Sequence, residues 1–239
     1  MAIGNGHANR GTAPRKTREA QYQHEIEIAE REGFARFGLM SNQVWRDDPR
    51  RLVFLLSRYK FVAKMLAGKD RVVELGCADA FGTRLVQQAG CRVTACDFDP
   101  VFLADATDRM AADGWPCPLV EHDILSGPVP PADYDALYSL DVFEHIVPEH
   151  EDRFVGNIAR TLHPHGVAVI GSPSLQSQAY ASPPSKAGHV NCKDGEGYRR
   201  VMLRHFHNVF LFSMNDEVVH TGFAPMAHYL LALCTGPKG

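Results

Sequence analysis

The residues best suited to chemistry in this chain of 239 residues are acidic side chains and glycines that follow short apolar runs. In VVELGCADAFG, residues 72–82, Glu74, Gly76 and Gly82 stand between a β-branched run and a segment of helical period. Glycine there lets the backbone approach a ligand closely, and the N-terminus of a following helix offers free N–H groups to its polar end. Roughly twenty residues on, CDFDP brings Asp97 to the end of a second apolar run, the spacing at which a carboxylate accepts hydrogen bonds from both hydroxyls of a ribose. Phe98 beside it can cover one face of an adenine. A third run ends in EHDIL, where Asp123 can accept from an adenine amino group and Ile124 can pack on the ring. The three signals agree in order and spacing on a nucleotide-like cofactor. The dinucleotide fingerprint GxGxxG would require glycine at 78 and 81, where Ala78 and Phe81 stand, which argues against a nicotinamide-dependent oxidoreductase.

Such residues must be positioned by alternating elements. Short apolar runs at 71–75, 92–96, 117–121, 134–140 and 167–171 alternate with segments of helical period near 81–89, 100–113 and 150–162. Strands alternating with helices predict a parallel sheet with right-handed crossovers and helices on both faces, whose ligands bind beyond the carboxyl ends of the strands. A helix near 195–205 and strands near 208–214 and 224–234 complete the sheet as an antiparallel hairpin at its edge. Before the sheet, apolar spacing predicts two helices, from about Lys16 to Gly33 and from Asp48 to Leu66, and residues 1–16 have the composition of a flexible tail. GSPSLQSQAYASPPSKAGHVN, residues 171–191, has the composition of a long loop.

The segments ELGCADAFG, the Asp97 strand end, HDIL and YDALYSLDVFEHI resemble the successive motifs of class I S-adenosylmethionine-dependent methyltransferases, in the small-molecule group whose fourth motif ends in an acidic residue and histidine. The resemblance covers residues 70–172, about the central half of the chain. It departs from the family at Ala78 and Ala80, which replace glycines of Gly-x-Gly-x-Gly and predict a slightly tighter loop. The resemblance implies an α/β fold with a Rossmann-like, mostly parallel seven-stranded sheet, helices on both faces and additional N-terminal helices. It divides the chain into a tail (1–16), a helical extension or lid (17–68) and a cofactor-binding domain (69–239), with 172–223 as the candidate acceptor-site insert. S-adenosyl-L-methionine is the implied cofactor. By position, Glu74, Gly76 and Cys77 would line its methionine end, Asp97 and Phe98 its ribose and adenine, and Asp123 and Ile124 its adenine. Leu140 and Asp141 would follow the fourth strand at the methionine portion or the acceptor.

Methyl transfer from a sulfonium is an in-line displacement, so the enzyme chiefly aligns nucleophile, methyl and sulfur and, for a hydroxyl acceptor, removes a proton. Among twelve histidines, His145 in DVFEHI is the best placed base or acceptor-orienting group, with Asp141 and Glu144 as weaker alternatives. Tyr180, His189, Asn191 and His220 lie in segments outside the shared motifs and are the candidate acceptor-binding residues, with Ser182 and Lys186 in the same loop. No metal site is expected. His145 and His150 are one residue too far apart for HExxH or HxxEH, and Pro148 interrupts the helix that would align them. His205 and His207 align only in an extended chain.

The expected reaction is O-methylation of a small polar metabolite, such as a sugar derivative. N-methylation of a small amine and a non-catalytic cofactor-binding module are the alternatives. The formal net charge of -3 gives no general positive field for nucleic acid, and Arg199, Arg200 and Arg204 read as a solvated helix face. Six scattered cysteines without a CxxC pair suit a reduced cytoplasm; residues 1–21 lack the apolar core of a secretory signal and no apolar run is long enough for a membrane span, so cytoplasmic residence is the expectation. The amphipathic N-terminal helices suit either a cover over the site or a homodimer face.

Overall fold

A computed structural model describes residues 15–238, so most of the predicted tail lies outside the described residues. The chain divides into two compact units, Met1–Arg36 and Phe37–Gly239. In the first, helix α1 (Gln23–Glu32) carries the ion pair Arg15–Glu30 at 3.6 Å. The second opens with α2 (Leu39–Asp47) and α3 (Arg50–Met65), so two helices of the expected 17–68 extension fold with the α/β unit. Of these two the sequence pattern predicts α3 alone, and α2 is an addition. α2 is nine residues long, too short for an amphipathic period to stand out.

The sheet is built from β1 (Arg71–Leu75), β2 (Arg92–Asp97), β3 (Leu119–Glu121), β4 (Tyr134–Leu140), β5 (Leu162–Pro173), β6 (Phe206–Asn215), β7 (Val218–His220) and β8 (Tyr229–Pro237). Its order is β3-β2-β1-β4-β5-β8-β6-β7. The pairs from β3 to β5 are parallel, and those involving β8, β6 and β7 are antiparallel. The sheet therefore has eight strands and not seven. The extra strand, β7, is an edge hairpin closed by Asp216 and Glu217, and Asp216 takes φ 49°, the left-handed geometry that two-residue hairpins require.

Helices α4 (Thr83–Gln88), α5 (Pro100–Ala112) and α6 (Glu151–Thr161) make the crossovers, and α7 (Pro183–Gly188) and α8 (Gly195–Leu203) interrupt the predicted long loop and follow it. Asp99 caps α5 by accepting from the Val101 N–H at 2.9 Å, ahead of Pro100 in the first helical turn. Consecutive strand residues serve opposite faces. Val73, Leu137 and Ala168 pack with α6 and α8, whereas Val72, Tyr138 and Val169 pack with α3. Among the described residues no helix is long and apolar enough to cross a membrane, and all six cysteines are free.

Phe154 of α6 is fully buried and meets Phe143 edge-on at 6.1 Å, and Phe143 meets Tyr198 of α8 at 5.2 Å. This cluster lies directly beneath the turn that carries Glu144 and His145. Truncating the fully buried Phe154 ring leaves a cavity, so Phe154→Ala is expected to lower unfolding free energy by about 3–5 kcal/mol, measured by urea denaturation.

Candidate active site at the strand switch point

The order of strands reverses between β1 and β4, and at that place the crevice beyond their carboxyl ends opens. Two cavities occupy it, of about 620 Å³ and about 390 Å³, and they share Met40, Gly76, Ala78, Asp141 and His145.

The larger cavity is lined by Asp97, Phe98, Asp123 and Ile124 from the ends of β2 and β3. Asp97 is held by its own loop: Oδ2 accepts from the Ala78 N–H at 2.8 Å and Oδ1 from the Asp99 N–H at 3.0 Å. These bonds fix the carboxylate while leaving acceptor directions open toward the cavity. Phe98 is 74% exposed, a large apolar face without protein cover. Asp123 spends Oδ1 on the Leu125 N–H, a turn-capping bond at 2.8 Å.

The loop after β1 keeps glycine geometry without all the glycines. Gly76 has φ 76°, and a side chain there would run into Val142. Ala78 and Ala80 take φ 44° and 51°, where a Cβ is strained by about 1–2 kcal/mol each. The replacement by alanine thus preserves the turn at a steric cost and does not simply tighten it.

Glu74 lines neither cavity. It is turned inward and 2% exposed, with Oε1 accepting from Tyr59 OH at 2.7 Å and Oε2 from Tyr138 OH at 2.8 Å and from Thr83 Oγ1. Burial pushes its carboxyl up to about 7 against the pull of the three hydroxyls. Cys77 and Leu140, the neighbouring expected cofactor residues, line the smaller cavity.

The smaller cavity holds groups that the sequence did not flag. Arg58 of α3 grips Asp141 with one nitrogen at 2.8 and 2.6 Å from its two oxygens, and its guanidinium lies 3.8 Å from the ring centre of Tyr229. Burial opposes that charge, yet the Asp141 carboxylate holds the guanidinium above its ordinary value. One signal was available: Arg58 falls three residues after Leu55 and four before Val62, on the apolar stripe of its helix, where a charge needs a partner. On the same side of the cavity, Ser41 donates to Asp79 Oδ2 through its N–H at 2.7 Å and its hydroxyl at 2.8 Å.

Glu144, His145 and His189 bring their ligand atoms within 4.8 Å of one another in this cavity. Burial, reinforced by the negative charge of Asp141, pushes the Glu144 carboxyl well above its ordinary range. Burial and then the neighbouring His145 lower the pKa of His189. The remaining expected acceptor residues lie elsewhere. Tyr180 is 92% exposed outside both cavities. Asn191 is buried beneath the site, its N–H donating to the Glu144 carbonyl at 3.0 Å. His220 sits on the edge strand β7, where it bonds Asn215 at 2.9 Å. An extra strand in the 216–220 segment carries His220 away from the crevice. Arg204 pairs with Glu151 and Asp152 at 3.1 and 3.0 Å.

A mostly parallel α/β sheet of this order, with an acidic residue ending β2 beside a glycine turn after β1, defines a Rossmann-like fold. Residues 72–166 match the family described as methyltransferase domain, and about half of the chain is similar to S-adenosylmethionine-dependent methyltransferases. A protein of Mycolicibacterium smegmatis named "probable S-adenosylmethionine-dependent methyltransferase" is 30% identical over 117 residues, 48% of this chain and 42% of its own length. A similarly named protein of Mycobacterium tuberculosis H37Rv is 26% identical over 48% of this chain and 40% of its own length. The chain spans about two fifths of the length of these curated relatives. Among solved structures, a TehB-like S-adenosylmethionine-dependent methyltransferase of Corynebacterium glutamicum superposes with TM-score 0.60 at 18% identity, covering 82% of this chain and 95% of its own. The N-methyltransferase NodS of Bradyrhizobium japonicum gives 0.55 at 20% identity, covering 80% and 99%. These two establish a common fold.

Two outcomes follow from this geometry. Asp97→Ala removes hydrogen bonds worth about 1–3 kcal/mol and is expected to weaken S-adenosylmethionine binding roughly tenfold to a hundredfold by calorimetric titration. Unchanged affinity would displace the donor from the larger cavity. For Glu74, a folded-state pKa of about 7 lies above the ordinary 4.5, so the native state binds the extra proton between these values. Its contribution is fully present below about 4.5 and is lost as pH rises through about 7, by up to roughly 3 kcal/mol. Unfolding free energies at pH 5 and pH 8 are expected to differ less in Glu74→Gln than in the unaltered protein.

Proposed function

We propose that the protein transfers a methyl group from S-adenosylmethionine to an oxygen of a small polar metabolite, with the donor's adenosine in the larger cavity and the acceptor entering the smaller one. The single observation that carries this reading is the junction of the two cavities. Gly76, Asp141 and His145 border both, so a donor and an acceptor would meet there with the methyl between them.

His145 donates Nδ1–H to the Gly188 carbonyl at 2.9 Å, which assigns the lone pair to Nε2. An acceptor hydroxyl bonded to that nitrogen would be oriented with its oxygen toward the sulfonium methyl. As the oxygen lone pair forms the new C–O bond, the C–S bond breaks and its electron pair returns to sulfur, giving S-adenosylhomocysteine. The hydroxyl proton leaves to the group that orients it. Arg58, Ser41 and His189 around the smaller cavity supply donors and acceptors suited to a hydroxylated or anionic ligand. About 390 Å³ favours a metabolite over a macromolecular segment, and the free thiols suit a reducing cytoplasm.

The test is turnover of S-adenosylmethionine to S-adenosylhomocysteine against panels of hydroxylated metabolites and of small amines. Methylation of hydroxyl compounds alone is the expected result, and methylation of amines alone would reassign the acceptor atom. His145→Ala should lower kcat by about a hundredfold while leaving the dissociation constant for S-adenosylmethionine unchanged. Equal turnover would remove His145 from the mechanism.

A further inference from the structure

We infer that Glu144, His145 and His189 form a binding site for a divalent first-row transition-metal ion, such as Mn²⁺, Fe²⁺, Co²⁺ or Zn²⁺, whose open coordination positions face the smaller cavity. The inference starts from the only close grouping of three such side chains among the described residues. Their ligand atoms lie within 4.8 Å of one another. The ligands of one ion sit roughly 3–4.3 Å apart when each bond is about 2.0–2.2 Å. A contraction of about half an ångström therefore completes the set.

Three further features show that the atoms are prepared as ligands. First, Glu144 is 1% exposed and its Oε2 has no hydrogen-bond partner. A buried carboxylate oxygen left bare is costly, and a cation is the partner that removes the cost. Second, both imidazoles are committed at Nδ1 to oxygen acceptors, His145 to the Gly188 carbonyl and His189 to the Gln178 side-chain oxygen, each at 2.9 Å. An Nδ1–H···O bond fixes the tautomer and leaves Nε2 as the free electron-pair donor, the outer-shell arrangement found behind metal-bound histidine. Third, the chain segments are clamped together. The N–H groups of Val190 and Asn191 both donate to the Glu144 carbonyl, at 2.8 and 3.0 Å, and so tie the His189 segment to the Glu144–His145 turn.

Two imidazoles with one carboxylate favour a borderline ion over Mg²⁺, which prefers oxygen donors. Three protein ligands leave positions for an outside oxygen, which on the methyl-transfer reading would belong to the acceptor. An acceptor hydroxyl bound to the ion loses its proton to solvent more readily, and its oxygen is fixed beside the methyl, so the ion replaces a free imidazole as the activating group. His145 does not join its sequence neighbour His150 in this grouping. The partner that the fold supplies is His189.

Binding of the ion does not depend on the acceptor, which separates its test from that of the proposed reaction. The protein, purified without a histidine tag and stripped with chelator, would be titrated with Mn²⁺ and Co²⁺ by calorimetry, and with Co²⁺ followed by visible absorption. One ion per chain is expected, with the ligand-field bands of nitrogen coordination and with Mg²⁺ a poor competitor. Glu144→Gln and His189→Ala should each weaken binding at least tenfold to a hundredfold, while Gln178→Ala, which frees only the outer-shell bond, should weaken it by about tenfold. Titration with S-adenosylmethionine serves as the control for folding in every variant. Absence of Co²⁺ binding in protein that still binds S-adenosylmethionine would overturn the site and leave the methyl-transfer reading standing. Co²⁺ binding that survives both ligand substitutions would overturn it equally. Specific ion binding without methylation of any tested acceptor would keep the site and count against the reaction.

Discussion

The inward-facing carboxylate of Glu74 is the constraint on which the architecture of the crevice depends. It stands on β1 and receives hydroxyls from Tyr59 of α3, Thr83 of α4 and Tyr138 of β4. One buried group thereby joins the helix before the sheet, the helix after the glycine turn and the central strand beyond the switch point. Because the carboxylate is cut off from water, each hydroxyl is worth more there than at the surface, and loss of any one leaves a buried oxygen short of a partner. The turn from Gly76 to Gly82 is suspended between those anchors. Its alanines can be held at positive φ because both ends of the loop are fixed by bonds that relaxation would break.

Electrostatics then separate the two sides of the crevice. In the larger cavity the acidic group is Asp97, tied to main-chain N–H groups, with the exposed ring of Phe98 beside it. In the smaller cavity Arg58 pairs with Asp141, and Glu144 is buried. Burial, reinforced by the Asp141 charge, raises the Glu144 pKa, and the Arg58 charge opposes that rise. The helix that contributes Tyr59 to the Glu74 centre contributes Arg58 to this pair, so a single placement of α3 serves both sides.

That Asp97, Phe98, Asp123 and Ile124 share one cavity was readable from sequence because all four lie at strand ends. Asp97, Asp123 and Asp141 each follow an apolar run, and in a parallel sheet such positions converge on one edge whatever the details of packing. The roles within that set were less readable. Glu74 occupies the same kind of position but points the other way, since adjacent strand residues alternate in face, and only the hydroxyls gathered from three distant elements show what it does. Among the later residues, His189 reaches the cavity while Tyr180 and His220 do not. The difference lies in the clamp at Val190 and Asn191 and in the hairpin at Asp216, and neither has a period or composition that marks it in advance. Strand β7 escaped notice for the same reason: three residues cannot establish an alternation.

The acceptor corner is held by bonds between segments far apart in the chain, and this has a consequence for how such a domain can vary. α2 and α3 reach the crevice through Ser41, Arg58 and Tyr59, and the 172–191 segment reaches it through His189. Substitutions elsewhere on those segments leave the Asp97 carboxylate untouched, because it is held by the main-chain N–H groups of Ala78 and Asp99. On the proposed placement of donor and acceptor, acceptor preference would change on two peripheral segments while donor binding stays constant. Such a division of labour would let the recognisable motifs name the cofactor and leave the acceptor to the side chains that the fold draws in from outside them.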